Sequence, residues 1–380
     1  MRFKKTLLAC VVGLAISQTA SARSDLEQLK AEVEALKQEV ASAAEWKSPR
    51  TLVHMAGYAS VGYTDTQNEP GTFKMGNFSP IFHYQFSDLV MLESELEFEV
   101  DEVGNTDVSL EYLTIDWFMN DHAALVAGRF LSPLGNFRQN MHPSWINKMA
   151  SAPVGFGHDQ AAPNGDVGLQ VRGGFALGGA NANYAVFLGN GPTLEANGFG
   201  GFEKLESPGL NGNGDGTFVG GGRFGMLFPD KKLELGLSAA TGDIDIRTST
   251  SGPVYEGLKR DYSVLGADLT WRPGNFDVRA EYIRQSVGSR AASSVPGSAD
   301  WTAWYGQVAY RFYPSKWEAV ARYSNYDTPG EENDRVQLAG GVNYLFESNF
   351  IGKLDYESND NPNDGYEADN RFLVQLAYGF

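Results

Sequence analysis

Residues 371–380 read RFLVQLAYGF, and this stretch decides the fold class because its side chains alternate in character along the chain. Every second residue from Phe372 to Phe380 is apolar, and these residues alternate with Arg371, Leu373, Gln375 and Ala377. Successive side chains of a β-strand point to opposite faces, so a period of two is typical of a strand. The segment therefore predicts a final strand with one face in an apolar environment.

The same alternation recurs through 51–380, in segments of roughly 8 to 12 residues that give sixteen candidate strands. Seven spacers are short: 87–88, 119–121, 176–180, 229–230, 272–275, 313–316 and 346–348. The longer Gly, Asn, Asp and Pro-rich spacers include 64–77, 190–216, 241–260, 285–300 and 358–368. Alternating short turns and long loops with an even strand count are typical of outer-membrane barrels. We predict an all-β fold, a 16-stranded antiparallel transmembrane β-barrel.

Aromatic side chains support this fold, because Trp271, Trp317, Tyr378 and the run at 310–313 lie where apolar faces meet spacers. Such positions suit the headgroup belts of a membrane. The alternative is a soluble β-sandwich or propeller whose apolar faces pack together. A sandwich gives no reason for alternate loops to be long, and no repeat of blade length is visible.

The composition of the chain argues against three other classes of protein. Charged residues make up 20% of the 380 residues and aromatic residues 12%, which excludes a wholly disordered chain. No apolar run beyond the first twenty residues reaches the length of about 18 that a spanning helix needs. A net charge of -17 argues against a nucleic-acid partner, because contacts with phosphates need a basic face.

The amino terminus has the pattern of an export signal over residues 1–22. Arg2, Lys4 and Lys5 precede an apolar stretch, and Ala20-Ser21-Ala22 offers a cleavage site. The alternative, a lipoprotein signal ending at Cys10, leaves almost no apolar segment ahead of the cysteine. Cleavage after residue 22 would leave a mature chain with no cysteine, as the single Cys lies within the signal.

A short heptad segment follows, and we predict a periplasmic coiled-coil helix over 23–45 and a linker over 46–50. Its oligomerisation seam consists of Leu26, Leu29, Val33, Leu36 and Val40, at spacings of three and four. Fewer than three heptads are short for an autonomous coiled coil. An amphipathic helix that lies on the body of the protein is the alternative.

The segment GRFLSPLG at 128–135, the heptad helix and the terminal Tyr378-Gly379-Phe380 resemble the phosphate-selective porin O/P family, in particular its members with an N-terminal coiled coil. The resemblance implies a homotrimer of sixteen-stranded barrels in the outer membrane of a Gram-negative bacterium. It also implies that the third extracellular loop folds inward and narrows each pore. Phosphate-binding members are expected to present several lysines there, but this segment has only Lys148.

The residues themselves point to the same loop. Residues 131–165 form the longest stretch without a strand signal, and it carries Arg138 and Lys148 against the single acid Asp159. A basic loop that reaches the lumen would set the field that an ion must cross. An ordinary surface loop is the alternative. The candidate residues of the solute path are Arg129, Arg138, His142, Lys148, His158, Arg172, Arg223, Arg279, Arg311, Arg322 and Arg371.

A second candidate feature is an acidic stripe of four alternate residues on one strand. Glu93, Glu95, Glu97 and Glu99 share one face, and a charge facing lipid costs about 2–4 kcal/mol at the midplane. The stripe must therefore face the lumen. Most lumenal charges are expected to pair across the wall. We predict an outer-membrane porin that passes small hydrophilic solutes, with a weak anion preference from Arg129, Arg138 and Lys148. Phosphate and small organic acids remain open as solutes.

Neither an enzyme, a metal site nor a cofactor is predicted. The five histidines lack metal-ligand spacing such as HExxH, and no GxSxG motif occurs. The acidic run 359–364 is expected to be a solvated loop or to be bridged by cations to lipopolysaccharide. Outer-membrane lipid and lipopolysaccharide are the other expected partners. A barrel that tethers the envelope and conducts little is the alternative function, and a barrel hydrolase is a further one.

Overall fold

The computed structural model describes residues 51–158, 160–197, 200–207, 209, 212, 214–248, 254–330, 334–360 and 369–380. The predicted signal, coiled coil and linker lie outside these residues. Contacts within the chain separate Met1–Val53 from His54–Phe380, and the features below belong to the second unit except for residues 51–53, which begin the first strand. Among the described residues, no helix is long and apolar enough to cross a membrane.

Within the described residues, sixteen antiparallel strands close into a barrel, which confirms the predicted all-β fold, the closed antiparallel barrel and the strand count. In chain order they are β1 (Thr51–Thr66), β2 (Thr72–Phe86), β3 (Val90–Val100), β4 (Thr106–Asn120), β5 (Ala123–Leu131), β6 (Gly165–Leu177), β7 (Ala180–Gly189), β10 (Val219–Phe228), β11 (Leu233–Ile244), β13 (Arg260–Trp271), β14 (Phe276–Val287), β15 (Ala299–Arg311), β16 (Trp317–Asp327), β17 (Arg335–Leu345), β18 (Phe350–Asp360) and β19 (Arg371–Gly379). The terminal segment closes the barrel, because β19 pairs with β1 from Tyr58↔Gly379 to Thr66↔Arg371.

The alternation read from the sequence becomes an inner and an outer face. In β19 the side chains of Leu376 and Tyr378 are 42% and 47% exposed, whereas Ala377 between them is 1% exposed. The exposed set continues around the wall with aliphatic and aromatic residues, which a lipid environment would cover. The interior positions are dominated by polar and charged side chains.

The long spacers differ from the prediction in two ways. The spacer expected over 64–77 is only five residues long, because β1 continues to Thr66 and β2 begins at Thr72. The spacer expected over 190–216 contains β8 (Thr193–Ala196) and β9 (Phe202–Glu206), which form a small sheet with β12 (Ile246–Arg247). Leu194, Leu205 and Ile246 are buried there, so packing between two loops creates this sheet. Short strands in loops have no sequence signal of their own.

The longest described connection runs from β5 to β6 over 132–164, and we call it the inner loop. It holds a π-helical turn, Phe137–Met141. A separate 3-10 helix, Pro229–Lys231, lies in the turn between β10 and β11. The loop turns at Gly135, whose φ of 86° is a left-handed conformation that suits glycine. The loop's buried residues include Phe137, Met149 and Phe156, so it packs against the barrel interior.

Candidate functional site

The inner loop is attached to one side of the barrel wall by hydrogen bonds from its backbone to acidic side chains. The Phe137 N–H donates to Glu281 Oε2 at 2.8 Å, and the Ala150 N–H donates to Asp355 Oδ2 at 2.7 Å. These carboxylates, on β14 and β18, therefore fix the two halves of the loop.

Basic side chains on the same side of the wall bind the loop's carbonyl groups. Lys353 Nζ donates to the carbonyl of Ser144 at 2.6 Å and to that of Met149 at 2.9 Å. Arg322 Nη1 donates to the Ser151 carbonyl at 2.9 Å. Both side chains are almost fully buried, so they hold the loop and are withdrawn from solutes.

Apolar packing closes the space between the loop and this wall. Phe156 is 1% exposed, and its ring meets that of Tyr305 edge-on at a centroid distance of 5.0 Å. Phe137 packs against both rings at 6.0 and 6.1 Å. No room for solutes is expected in such a packed cluster. Any path through the barrel must run on the opposite side of the loop.

Two cavities lie on that opposite side. The upper cavity, of about 560 Å³, lies between the inner loop and strands β1–β4 and β19. The lower cavity, of about 580 Å³, reaches the β4–β5 turn and is lined by Arg172, Arg223 and Glu234. A smaller cavity of about 110 Å³ next to Glu93 shares Arg172 and Gln139 with the lower cavity.

The side chains between these cavities link the loop to the acidic wall. Arg138 Nη2 donates to Glu111 Oε2, and both residues are buried. The Tyr58 hydroxyl donates to Glu95 Oε1 at 2.7 Å and lies 3.2 Å from His142 Nε2. Burial lowers the pKa of His142 to about 3, so this loop residue carries no charge at neutral pH.

The lining of the upper cavity has a net negative formal charge. Its described lining includes the five carboxylates of Glu97, Glu99, Asp101, Asp107 and Glu111. Lys74 and Arg138 are the two bases in that lining, and His142 and His158 also contribute to it. The lower cavity has two arginines against Asp121 and Glu234. The field along the two cavities is therefore dominated by carboxylates at the upper end.

The structure places the predicted site residues at several different locations. Arg138, His142, His158, Glu97 and Glu99 line the upper cavity, and Arg172, Arg223 and Glu93 line the lower or the small cavity. Lys148 and Arg311 line a separate recess of about 580 Å³ at the turn end of the barrel. Glu95, Arg279, Arg322 and Arg371 hold protein groups, and Arg129 packs against Gly209.

Most of these bases have carboxylate partners. Lys148 Nζ lies 2.9 Å from Glu318, Arg223 Nη2 lies 2.6 Å from Asp268, and Arg172 pairs with Asp116. Arg371 pairs with Glu357 at 2.7 Å, and Arg279 with Asp277 at 2.7 Å. A paired charge contributes little to the field seen by a passing ion.

Sequence reasoning missed Glu111, which lies at the centre of the site. The pairing of β3 with β4 shifts between Glu95 and Leu96, so that Glu95 pairs with Tyr112 and Leu96 with Leu110. Glu111 is the extra residue of this β-bulge. A bulge interrupts the period of two, and the strand pattern therefore gave no reason to assign Glu111 to the lumen.

Comparisons with known proteins agree with this architecture. Residues 224–380 match the family model described as phosphate-selective porin O and P, which confirms the predicted resemblance over that part of the chain. No curated protein sequence is significantly similar to the chain. A porin family match and a barrel fold indicate a channel of the Gram-negative outer membrane more than an enzyme.

Three solved structures have a similar fold at low sequence identity. The anion-selective porin from Comamonas acidovorans has a TM-score of 0.59 at 13% identity, covering 87% of this chain and all of that one. The outer membrane channel DcaP of Acinetobacter baumannii has a TM-score of 0.60 at 11% identity, covering 88% and 99%. OmpT of Vibrio cholerae, in its trimer form, has a TM-score of 0.54 at 12% identity, covering 87% and 100%.

Proposed function

We propose that the chain is an outer-membrane porin through which small hydrophilic solutes diffuse between the inner loop and the wall formed by strands β1–β7, β10 and β11. The observation that carries this proposal is the one-sided attachment of the inner loop. Hydrogen bonds and aromatic packing seal the loop against the far wall, and polar cavities lie on its other side. Loop-constricted, water-filled barrels conduct by passive diffusion.

The expected anion preference needs revision, because it relied on Arg129, Arg138 and Lys148. Arg138 and Lys148 are paired with carboxylates, and neither Arg129 nor Lys148 lines the upper or lower cavity. The five carboxylates in the upper cavity outnumber its two bases. Carboxylates favour cations in a narrow aqueous pore. We propose a weak preference for cations and for solutes with a positive group.

The test is conductance of the purified protein in a planar bilayer with a KCl gradient across it. We expect discrete steps and a reversal potential on the cation side. The double substitution Glu99→Gln with Asp107→Asn should lower the cation preference roughly fourfold, since each charge about 8 Å away in water is worth about 0.5 kcal/mol, or about twofold. Asp230→Asn, in an exposed turn, is the matched control. Absent steps, or an unchanged reversal potential in the double variant, would contradict the proposal.

We also propose a homotrimer with a periplasmic N-terminal coiled coil over 23–45 after removal of 1–22. The trimer form of the similar OmpT barrel supports the trimer, and the heptad seam at Leu26, Leu29 and Val33 supports the coiled coil. Conductance steps in groups of three would support the trimer. Mass measurement of the detergent complex with and without residues 23–45 would separate the contribution of the helix from that of the barrel.

A further inference from the structure

We propose that Glu97, Glu111 and His158 bind a divalent transition-metal ion, with Zn²⁺ as the expected ion, inside the upper cavity. These residues come from three separate segments: β3, β4 and the inner loop. One ring nitrogen of His158 and one oxygen from each carboxylate all lie within 4.8 Å of one another. All three residues line the same cavity. Folding therefore assembles a ligand set that no local sequence spacing could reveal.

The donor types select the class of ion. An imidazole and two carboxylates are ordinary Zn²⁺ ligands, and three protein ligands with an open position for water are typical of accessible zinc sites. Calcium and magnesium prefer all-oxygen sites, so the histidine favours the borderline-soft ions of the late first transition series. The ion would bridge the inner loop to the barrel wall.

An independent observation comes from Asn164, which is only 6% exposed. Its amide nitrogen lies 3.3 Å from His158 Nδ1, and its Oδ1 is buried without a hydrogen-bond partner among the described residues. With the amide rotated by half a turn, Oδ1 would accept the Nδ1–H of His158. The ring proton would then lie on Nδ1, and Nε2 would be the ring nitrogen that has a lone pair. Such a second hydrogen bond is usual for a metal-bound histidine.

Acidic side chains outnumber basic side chains around the proposed metal site. Glu95, Glu97 and Glu111 lie near one another, and Arg138 is the base that pairs with Glu111. Arg138 donates to Oε2 of Glu111. Its positive charge opposes the metal, so binding should be weaker than at a structural zinc site.

The first experiment is isothermal titration of ZnCl₂ into the full chain, without a polyhistidine tag, folded in detergent and freed of metal. We expect one ion per chain. Glu97→Gln and His158→Ala should each weaken binding at least tenfold. Asn164→Ala should weaken it about tenfold, as for other residues that orient a ligand, and Asn164→Asp should restore it. His122→Ala, in the β4–β5 turn, is the matched histidine control and should bind as the unchanged chain does.

Heat-modifiable migration in gels should establish that every variant is folded. Absence of binding by the unchanged chain would overturn the proposal, as would binding that survives both E97Q and H158A. Loss of binding in His83→Ala but not in H158A would also overturn it, since His83 lies 3.3 Å from His54 in a separate histidine pair. This titration uses no conduction, so its result does not depend on the proposed channel function.

A second experiment asks what the ion does in the pore. In planar bilayers, ZnCl₂ added on the side of the long loops should reduce the conductance of the unchanged chain and of H122A. The conductance of H158A should respond at least tenfold less sensitively. Equal inhibition of H158A and the unchanged chain would overturn the assignment of the bound ion to this cavity.

Discussion

At the scale of single residues, the Arg138–Glu111 pair is the most informative point in the site, because it joins the inner loop to the acidic wall. Both side chains are buried, and both belong to the lining of the upper cavity. Glu111→Gln removes one negative charge from that lining, and Arg138→Gln removes one positive charge. We expect E111Q to shift the reversal potential toward anions and R138Q to shift it toward cations.

The two variants control for each other, because each breaks the same ion pair. Each shift should be roughly twofold in the cation-to-anion permeability ratio, the effect of about 0.5 kcal/mol. The measurement is the reversal potential in a tenfold KCl gradient. Shifts in the same direction for both variants would mean that movement of the loop, and not the cavity charge, determines selectivity.

The residue scale also shows where sequence reasoning stops. The lumenal orientation of the stripe from Glu93 to Glu99 could be read from alternation alone, since charge is excluded from lipid. The bulge that adds Glu111 to the site could not, because it depends on how β3 pairs with β4. The carboxylate partners of Arg138 and Lys148 could not be predicted from the sequence either. Their carboxylates lie 27 and 170 residues away in the chain.

At the scale of elements, Gly341 on strand β17 matters for the inner loop, because its lack of a side chain leaves room for the carboxylate of Asp355. A Cβ on Gly341 would lie 1.8 Å from Asp355 Oδ1, and Asp355 accepts the Ala150 N–H of the loop. Gly341→Ala should displace this carboxylate and destabilise the folded barrel by about 2 kcal/mol, the usual cost of overpacking. The urea midpoint of unfolding, followed by tryptophan fluorescence, measures the effect.

Gly340, the preceding residue on the same strand, provides the control. Its nearest described neighbour would be 4.0 Å from an added Cβ, so Gly340→Ala should unfold at the midpoint of the unchanged chain. An equal loss in both variants would indicate a general effect of strand propensity. The contact between β17, β18 and the inner loop would then have no special role.

The elements themselves were largely predictable. All seven short turns occur at or within two residues of the predicted spacers, because Gly, Pro, Asn and Asp mark tight turns. The start and end of the inner loop, at 132 and 164, follow from the absence of alternation. Its attachment to one side of the barrel does not, because the contacts with Glu281 and Asp355 are long-range.

At the scale of the whole molecule, the net charge of -17 says little about selectivity, since a charge acts only over a screening distance. A sphere with the volume of the upper cavity would be about 10 Å across, which equals the Debye length at about 0.1 M salt. At that ionic strength the carboxylates of the cavity act on its whole cross-section. Remote acids on the outer loops do not reach it.

The preference for cations should therefore depend on salt. At about 1 M the Debye length falls to about 3 Å, and ions in the middle of the cavity no longer sense the wall. We expect the ratio of cation to anion permeability to fall toward one between 0.1 M and 1 M KCl, measured at a constant tenfold gradient. A ratio that persists at 1 M would contradict a field that acts across open water. Selectivity would then have to come from ions in direct contact with carboxylates, such as that of Glu111, which pairs with Arg138 of the inner loop.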